Sequence, residues 1–313
     1  MKALVTIECS EEEVRKLEDL GYEIILMEEK EAAFSEKIKD IEVLACFNPF
    51  DTLDISLLPN LKWIQLITAG INQVPVEKIL NQKIILTNNR GGFSIPIAEW
   101  IVLKILEMIK NSKEYYKKQE KKIWEMEEGM LELHGKKIGF IGTGSIAMEA
   151  AKRLKNFGVE IIGINTSGRQ VEHFHQCFSV DQLNDVLVEW DFIVITSPYT
   201  EETHRLINKD VFSNMKDGAY LVNIARGSII DEEELINNLK TGKIRKAALD
   251  VFEVEPLPKD SPLWNMDNVI LSPHGCWGSE MDAKRKFEII YKNMAKYANK
   301  EKLVNIVDLE RGY

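Results

Sequence analysis

Short apolar runs alternate with longer amphipathic stretches along the whole chain. Runs at Ala3–Ile7, Glu23–Met27, Val43–Phe47, Lys62–Leu66 and Ile84–Thr87 read as strands. Helical spacing of the apolar positions predicts helices over Glu11–Leu20 and near Glu31–Lys39. Gly91-Gly92 then breaks the pattern. Ser94 is placed to cap a helix and Pro96 suits its first turn, so a helix is expected over Ile97–Ile109. That helix is apolar on nearly all sides, which suits a core or a subunit interface. Asn111–Leu133 is charged and reads as helical in part. A second alternating series begins at Lys136. Strands are predicted at Ile138–Ile141, Val159–Ile164, Phe192–Thr196, Tyr220–Asn223, Lys246–Asp250 and Val269–Leu271, with helices at Ile146–Phe157 and Glu232–Thr241. A last helix is expected over Met281–Ala298.

Strands alternating with helices imply the α/β class, with parallel sheets and crossover helices. The expected architecture is two α/β domains of Rossmann-like or flavodoxin-like type, the second inserted into the first. Residues 1–95 with 282–313 would form one domain and residues 96–281 the other. A chain of 313 residues is long for a single domain and comfortable for two.

Charge narrows the function. The formal net charge is −10, and no basic stripe of the kind that tracks nucleic acid is present. No run approaches a membrane span, and the N-terminus lacks the length and cleavage pattern of a signal peptide. Cys9, Cys46, Cys177 and Cys276 form no CxxC pair. The expectation is reduced thiols in a cytoplasmic protein, no metal site, and neither nucleic acid nor membrane as partner.

The sharpest local signal is Gly142-Thr143-Gly144-Ser145-Ile146-Ala147, a GxGxxA loop between an apolar strand and an amphipathic helix. Gly142 permits a tight turn, Gly144 lets backbone approach a pyrophosphate, and Ala147 allows close helix–strand packing. The helix N-terminus offers unpaired N–H groups to the anion. The strand, loop, helix and second strand stand in the order a dinucleotide site requires. That second strand ends in Asn165, followed by Thr166-Ser167-Gly168-Arg169. No carboxylate is there to repel a ribose 2′-phosphate, and hydroxyls and an Arg are there to bind one. NADP is therefore expected in preference to NAD.

Three further strand ends carry polar groups. Arg226 follows Ile224-Ala225, with Gly227 allowing a sharp turn; Glu255 precedes Pro256; His274 follows Ser272-Pro273. Glu253 competes with Glu255 for the role of partner to His274. His134, His173, His175 and His204 read as structural.

HGKKIGFIGTGSIA, SPYTEETHRLI, NIARGSIIDEEELINNLKTGKI, ALDVFEVEPLP and NVILSPHG stand in this order, and together they resemble the D-isomer-specific 2-hydroxyacid dehydrogenase family over nearly the whole chain. The resemblance implies catalytic roles for Arg226, Glu255 and His274. It adds Pro198, Thr203, Ile224, Ala225, Arg226 and Asp250 to the cofactor residues, with Asp250 near the nicotinamide. It assigns the substrate carboxylate to the backbone of Ala69-Gly70-Ile71, with Arg226 and His274 also on the substrate. On that basis a 2-keto acid would be bridged by the Arg226 fork and protonated by His274 as hydride arrives, with Glu255 steadying the imidazolium. The TSGR stretch is similar to NADP-using reductases, which points to glyoxylate or hydroxypyruvate as substrate type. Alternatives are a 3-phosphoglycerate or D-lactate dehydrogenase, or a protein that senses NAD(P)(H) and recruits partners. The end at Tyr313 leaves no room for the regulatory domain common in the phosphoglycerate enzymes. Gly275-Cys276-Trp277-Gly278 departs from the smaller, more aliphatic stretch of many members, and Trp277 is a candidate to shape the substrate pocket or pack under the nicotinamide. The family is usually dimeric, and the apolar helix at Ile97–Ile109 fits a homodimer interface.

Overall fold

A computed structural model describes residues 1–312. The chain divides into two compact units, Met1–Phe93 with the segment from Ser279, and Ser94–Gly278.

The first unit is built on β1 (Lys2–Val5), α1 (Glu11–Glu18), β2 (Glu23–Leu26), β3 (Val43–Cys46), β4 (Trp63–Leu66), α2 (Val76–Gln82) and β5 (Ile85–Thr87). Its five strands are all parallel, in the order β2-β1-β3-β4-β5. β3 and β4 are buried at every position, which is why they read as continuous apolar runs rather than alternating ones. α1 starts where Ser10 and Glu13 form a reciprocal capping box.

The helix expected near Glu31–Lys39 is absent. A single 3-10 turn covers Glu29–Glu31, and the chain then runs through turns to β3. Ala32, Ile38 and Ile41 are fully buried, but their spacing suits loop side chains dropped into the core. Glu29 is occupied elsewhere: its carboxylate accepts the N–H groups of Phe47 and Asn48, both at 2.8 Å.

The second unit carries α3 (Ser94–Ile109), α4 (Ser112–Glu120), β6 (Lys137–Ile141), α5 (Ser145–Leu154), β7 (Glu160–Asn165), β8 (Gln176–Ser179), α6 (Leu183–Val186), β9 (Phe192–Ile195), α7 (Lys209–Asn214), β10 (Ala219–Asn223), α8 (Glu232–Thr241), β11 (Ile244–Leu249) and β12 (Val269–Leu271). Seven parallel strands are ordered β12-β11-β10-β9-β6-β7-β8. β8 and the short helices α2, α6 and α7 carry too little apolar pattern to be expected from spacing. α3 begins at Ser94 rather than Ile97. Ser94 is not a cap; its hydroxyl donates to Ser145 Oγ at 2.9 Å and joins the starts of α3 and α5. α5 ends at Leu154 and finishes in a 3-10 turn over Lys155–Phe157.

α9 (Asp282–Ala298) returns to the first unit. A buried polar network holds it there. Asn293 Nδ2 donates to Gln65 Oε1 at 2.8 Å, which also accepts from Thr87 Oγ1 at 2.8 Å; Thr87 accepts from Trp63 Nε1 at 2.8 Å. Gln65, Thr87 and Asn293 are wholly buried and each is satisfied, as burial of polar groups demands.

No helix among the described residues is long and apolar enough to cross a membrane.

Candidate active site

Because all seven strands of the second unit are parallel, their C-terminal ends lie along one edge. In open α/β sheets that edge forms the ligand crevice. The loops after β6, β7, β9, β10, β11 and β12 carry the residues of interest.

After β6, Gly142 has φ +99°, and a Cβ there would sit 2.6 Å from the Ser197 nitrogen. Only glycine fits. Gly144 caps α5 in extended conformation with no side-chain bond to the first turn, and the space over its Cα is open. The first-turn N–H groups of α5 therefore face an open cradle. Ser197 Oγ, buried beside this loop, has no hydrogen-bond partner among the described residues. Ala147 is fully buried. These features fit a dinucleotide's pyrophosphate: an unfilled cradle, free amides and an orphan hydroxyl.

At the end of β7, Asn165 organises the next loop. Its Oδ1 accepts the N–H groups of Ser167 at 3.2 Å and Arg169 at 3.1 Å, while Nδ2 donates to Arg169 O at 2.9 Å and Thr143 Oγ1 at 3.3 Å. Thr166, Ser167 and Arg169 are exposed. The Arg169 guanidinium makes no hydrogen bond or ion pair among the described residues. After β9, Thr203 Oγ1 donates to the carbonyl of Pro198 at 2.9 Å, and Thr200 and Thr203 cap a 3-10 turn.

β10 ends in Asn223, a buried residue that spacing does not single out. Its side chain accepts the Ala225 N–H and donates to Arg226 O, both at 3.0 Å. This fixes the turn through Ile224 and Ala225 that presents Arg226. The Arg226 guanidinium is half-buried, and Nη1 donates to Ala225 O at 2.7 Å. No carboxylate lies within ion-pair distance of it among the described residues. Burial works against its charge, and the more distant Glu255 supports it. Its remaining donors suit an anionic ligand.

Gly227 serves a purpose other than a sharp turn. It lies in a 3-10 turn, Gly227–Ile229, but a Cβ would fall 1.8 Å from the Phe252 carbonyl carbon. The Arg226 turn and the loop after β11 thus meet backbone to backbone.

That loop settles which glutamate faces the histidine. Glu255 Oε2 lies 2.7 Å from His274 Nδ1, and Oε1 accepts the Phe252 N–H at 3.0 Å. Glu253 turns to Arg205, whose Nη2 donates to it at 3.0 Å. His274 sits at φ +49°, in the left-handed region, and Asp250 holds it there. The Asp250 carbonyl accepts the His274 N–H at 2.8 Å; its buried carboxylate accepts from Gly275 N at 3.0 Å, Cys276 N at 3.1 Å and the Ser272 hydroxyl. Asp250 thereby ties its carboxylate to the His274 loop. Burial, followed by Asp250, pushes the Cys276 thiol far up, so it stays protonated. Trp277 Nε1 donates to the His274 carbonyl at 2.9 Å.

In the first unit, the loop after β4 carries Ala69, Gly70 and Ile71. Its carbonyls are tied inward: Thr68 O accepts from Asn89 N, Ala69 O from Asn88 Nδ2 and Gly70 O from Thr68 Oγ1, all at 2.8 Å. The N–H groups of Ala69, Gly70 and Ile71 have no partner among the described residues, leaving a short row of donors.

Residues 102–276 match the family described as D-isomer specific 2-hydroxyacid dehydrogenase, NAD binding domain. The D-3-phosphoglycerate dehydrogenase of Methanocaldococcus jannaschii is 34% identical over 99% of this chain, which spans 60% of that relative's length. The glyoxylate reductase of Thermofilum pendens is 34% identical over 82% of this chain and 78% of its own. A solved D-isomer specific 2-hydroxyacid dehydrogenase from Xanthobacter autotrophicus Py2, in complex with NADPH and MES, superposes with a TM-score of 0.84 at 25% identity, covering 99% of both chains. The chain belongs to the D-isomer specific 2-hydroxyacid dehydrogenase family, and is an NAD(P)-dependent oxidoreductase of that class.

Proposed function

We propose that the protein reduces a small 2-keto acid of the glyoxylate or hydroxypyruvate type to the D-2-hydroxy acid, with NADPH preferred and His274 as proton donor. The observation that carries this reading is the His274–Glu255 hydrogen bond on the same strand-end edge as a half-buried Arg226 with no paired acid among the described residues. The nicotinamide, when bound, supplies the hydride. The residues do the rest. Arg226 has donors to spare for the substrate carboxylate and carbonyl. The unbonded amides of Ala69–Ile71 are the donors that the first unit offers to a carboxylate. As negative charge grows on the carbonyl oxygen, a positioned imidazolium stabilises it and passes the Nε2 proton. Glu255 holds Nδ1 and thereby selects the ring orientation.

Gly142, Thr143, Gly144, Ser145 and Ile146 are the proposed pyrophosphate loop. Asn165, Thr166, Ser167 and Arg169 favour a 2′-phosphate, because the loop offers an exposed cation and hydroxyls where a carboxylate would select NAD. Pro198, Thr203, Ile224 and Ala225 complete the cofactor side.

A 3-phosphoglycerate dehydrogenase is the second reading, favoured by the similarity to the Methanocaldococcus jannaschii relative over nearly the whole chain. A homodimer is supported by exposed apolar residues on and after α3: Leu103, Tyr116, Trp124 and Met126. Four free cysteines suit a reducing cytoplasm.

The test is His274→Ala assayed with NADPH and glyoxylate, alongside cofactor binding by fluorescence. The reading expects kcat to fall by about 10²–10⁴ while NADPH still binds. Wild-type turnover in the variant would overturn it.

A further inference from the structure

Glu255 depends on a loop for its position, and that loop is anchored from one side. Glu232, the first residue of α8, accepts the Glu253 N–H on its Oε2 at 3.1 Å. This is the only hydrogen bond of its carboxylate among the described residues. One residue back, the Phe252 N–H holds Glu255 Oε1, and Glu255 Oε2 reaches His274. The backbone at Phe252–Glu253 is pressed against Gly227 with no room for a Cβ. A shift of this segment therefore moves Glu255 relative to Arg226 and His274 together.

We propose that Glu232 is a positioning residue for the reaction: by accepting the Glu253 N–H it fixes the loop that presents Glu255 to His274. The proposal rests on the reading of the Glu255–His274 couple given above.

The surroundings of Glu232 fit this role better than a role in stability. Its carboxyl is half-buried, and burial raises it above the usual carboxylate range; the Glu253 N–H pulls it down, and the Glu253 carboxylate pushes it up again. A half-buried carboxylate beside a second one costs folding free energy. The Arg205 guanidinium joins Glu253 at 3.0 Å and Asp231 at 3.7 Å. It thereby gathers the start of α8 and the loop into one cluster without bonding Glu232 itself.

A double-substitution cycle tests the proposal, using NADPH and glyoxylate with the intact chain. Glu232→Ala is expected to lower kcat about tenfold, the size of effect that a small misplacement produces, with NADPH binding unchanged. Glu232→Gln keeps an acceptor oxygen and is expected to restore most of the rate. Glu232→Asp keeps the negative charge at the helix start but falls a methylene short, and is expected to behave like the Ala variant even if that variant folds poorly. Glu233→Ala, in the same helical turn and exposed, controls for loss of charge there and is expected to be active. In a Glu255→Gln background, Glu232→Ala is expected to add less than about twofold, since residues acting through one another are not additive.

A full tenfold loss persisting in the Glu255→Gln background would overturn the proposal and leave the couple intact. A Gln variant as impaired as the Ala variant would do the same. If Glu255→Gln itself left kcat unchanged, the reading of the couple would fail, and the proposal with it.

Discussion

Arg169→Gln removes the cation from the loop after β7 and little else. The Arg169 N–H and carbonyl, which hold the loop's shape, both bond Asn165 and survive the substitution. Charge-assisted hydrogen bonds are worth about 1.5–3 kcal/mol. Arg169 is exposed, so solvent screening reduces this to about 1–1.4 kcal/mol. That corresponds to about five- to tenfold in affinity. The ratio of kcat/KM for NADPH to that for NADH should fall by this factor, almost all of it through the KM for NADPH. Asn165→Asp should do more damage than a simple charge swap suggests. The two Nδ2 bonds, at 2.9 Å to Arg169 O and 3.3 Å to Thr143 Oγ1, vanish at about 0.5–1.5 kcal/mol each. NADPH use should collapse without a matching gain for NADH. The assay is initial-rate oxidation of each cofactor with saturating keto acid. An unchanged ratio in Arg169→Gln would refute the reasoning, as would equal losses for both cofactors.

Gly227→Ala forces a Cβ into the Phe252–Glu253 backbone; a loss of about 2–3 kcal/mol is expected in urea unfolding, with turnover falling alongside. Cys9 is half-buried, and burial with Glu13 and Glu8 raises its thiol to about 11; alkylation at this site should be slow at neutral pH and rise steeply only as the pH approaches that value, whereas fast labelling at neutral pH would contradict the assignment. If the proposed homodimer forms through this face, the unaltered chain is expected to sediment as dimer and Trp124→Glu, which places a charge on the exposed segment after α4, as monomer.

The strands of both sheets were legible because a parallel strand covered on both faces must be apolar throughout. β8 was not, since its sequence QCFS buries only Cys177. The stretch near Glu31–Lys39 misled because buried residues in a loop can mimic helical spacing. The Gly142–Ala147 loop announced itself because close backbone approach demands particular small residues at particular offsets. Asn223, Ser272 and Glu232 could not be read in this way. Ser272 and Glu232 act by bonding loops distant in sequence, and Asn223 by bonding the turn that follows it; hydrogen-bonding side chains at loop ends carry no periodicity. The choice between Glu253 and Glu255 was open for the same reason: two residues apart, only the folded loop decides which one turns to His274.

The most direct test of the account is the rate at which the purified protein oxidises NADPH and NADH in parallel with glyoxylate, hydroxypyruvate, pyruvate and phenylpyruvate. The account predicts rapid oxidation of NADPH with glyoxylate or hydroxypyruvate, slower oxidation of NADH, and D-configured product wherever the product is chiral. No turnover of any of these acids, despite tight binding of NADPH, would contradict it.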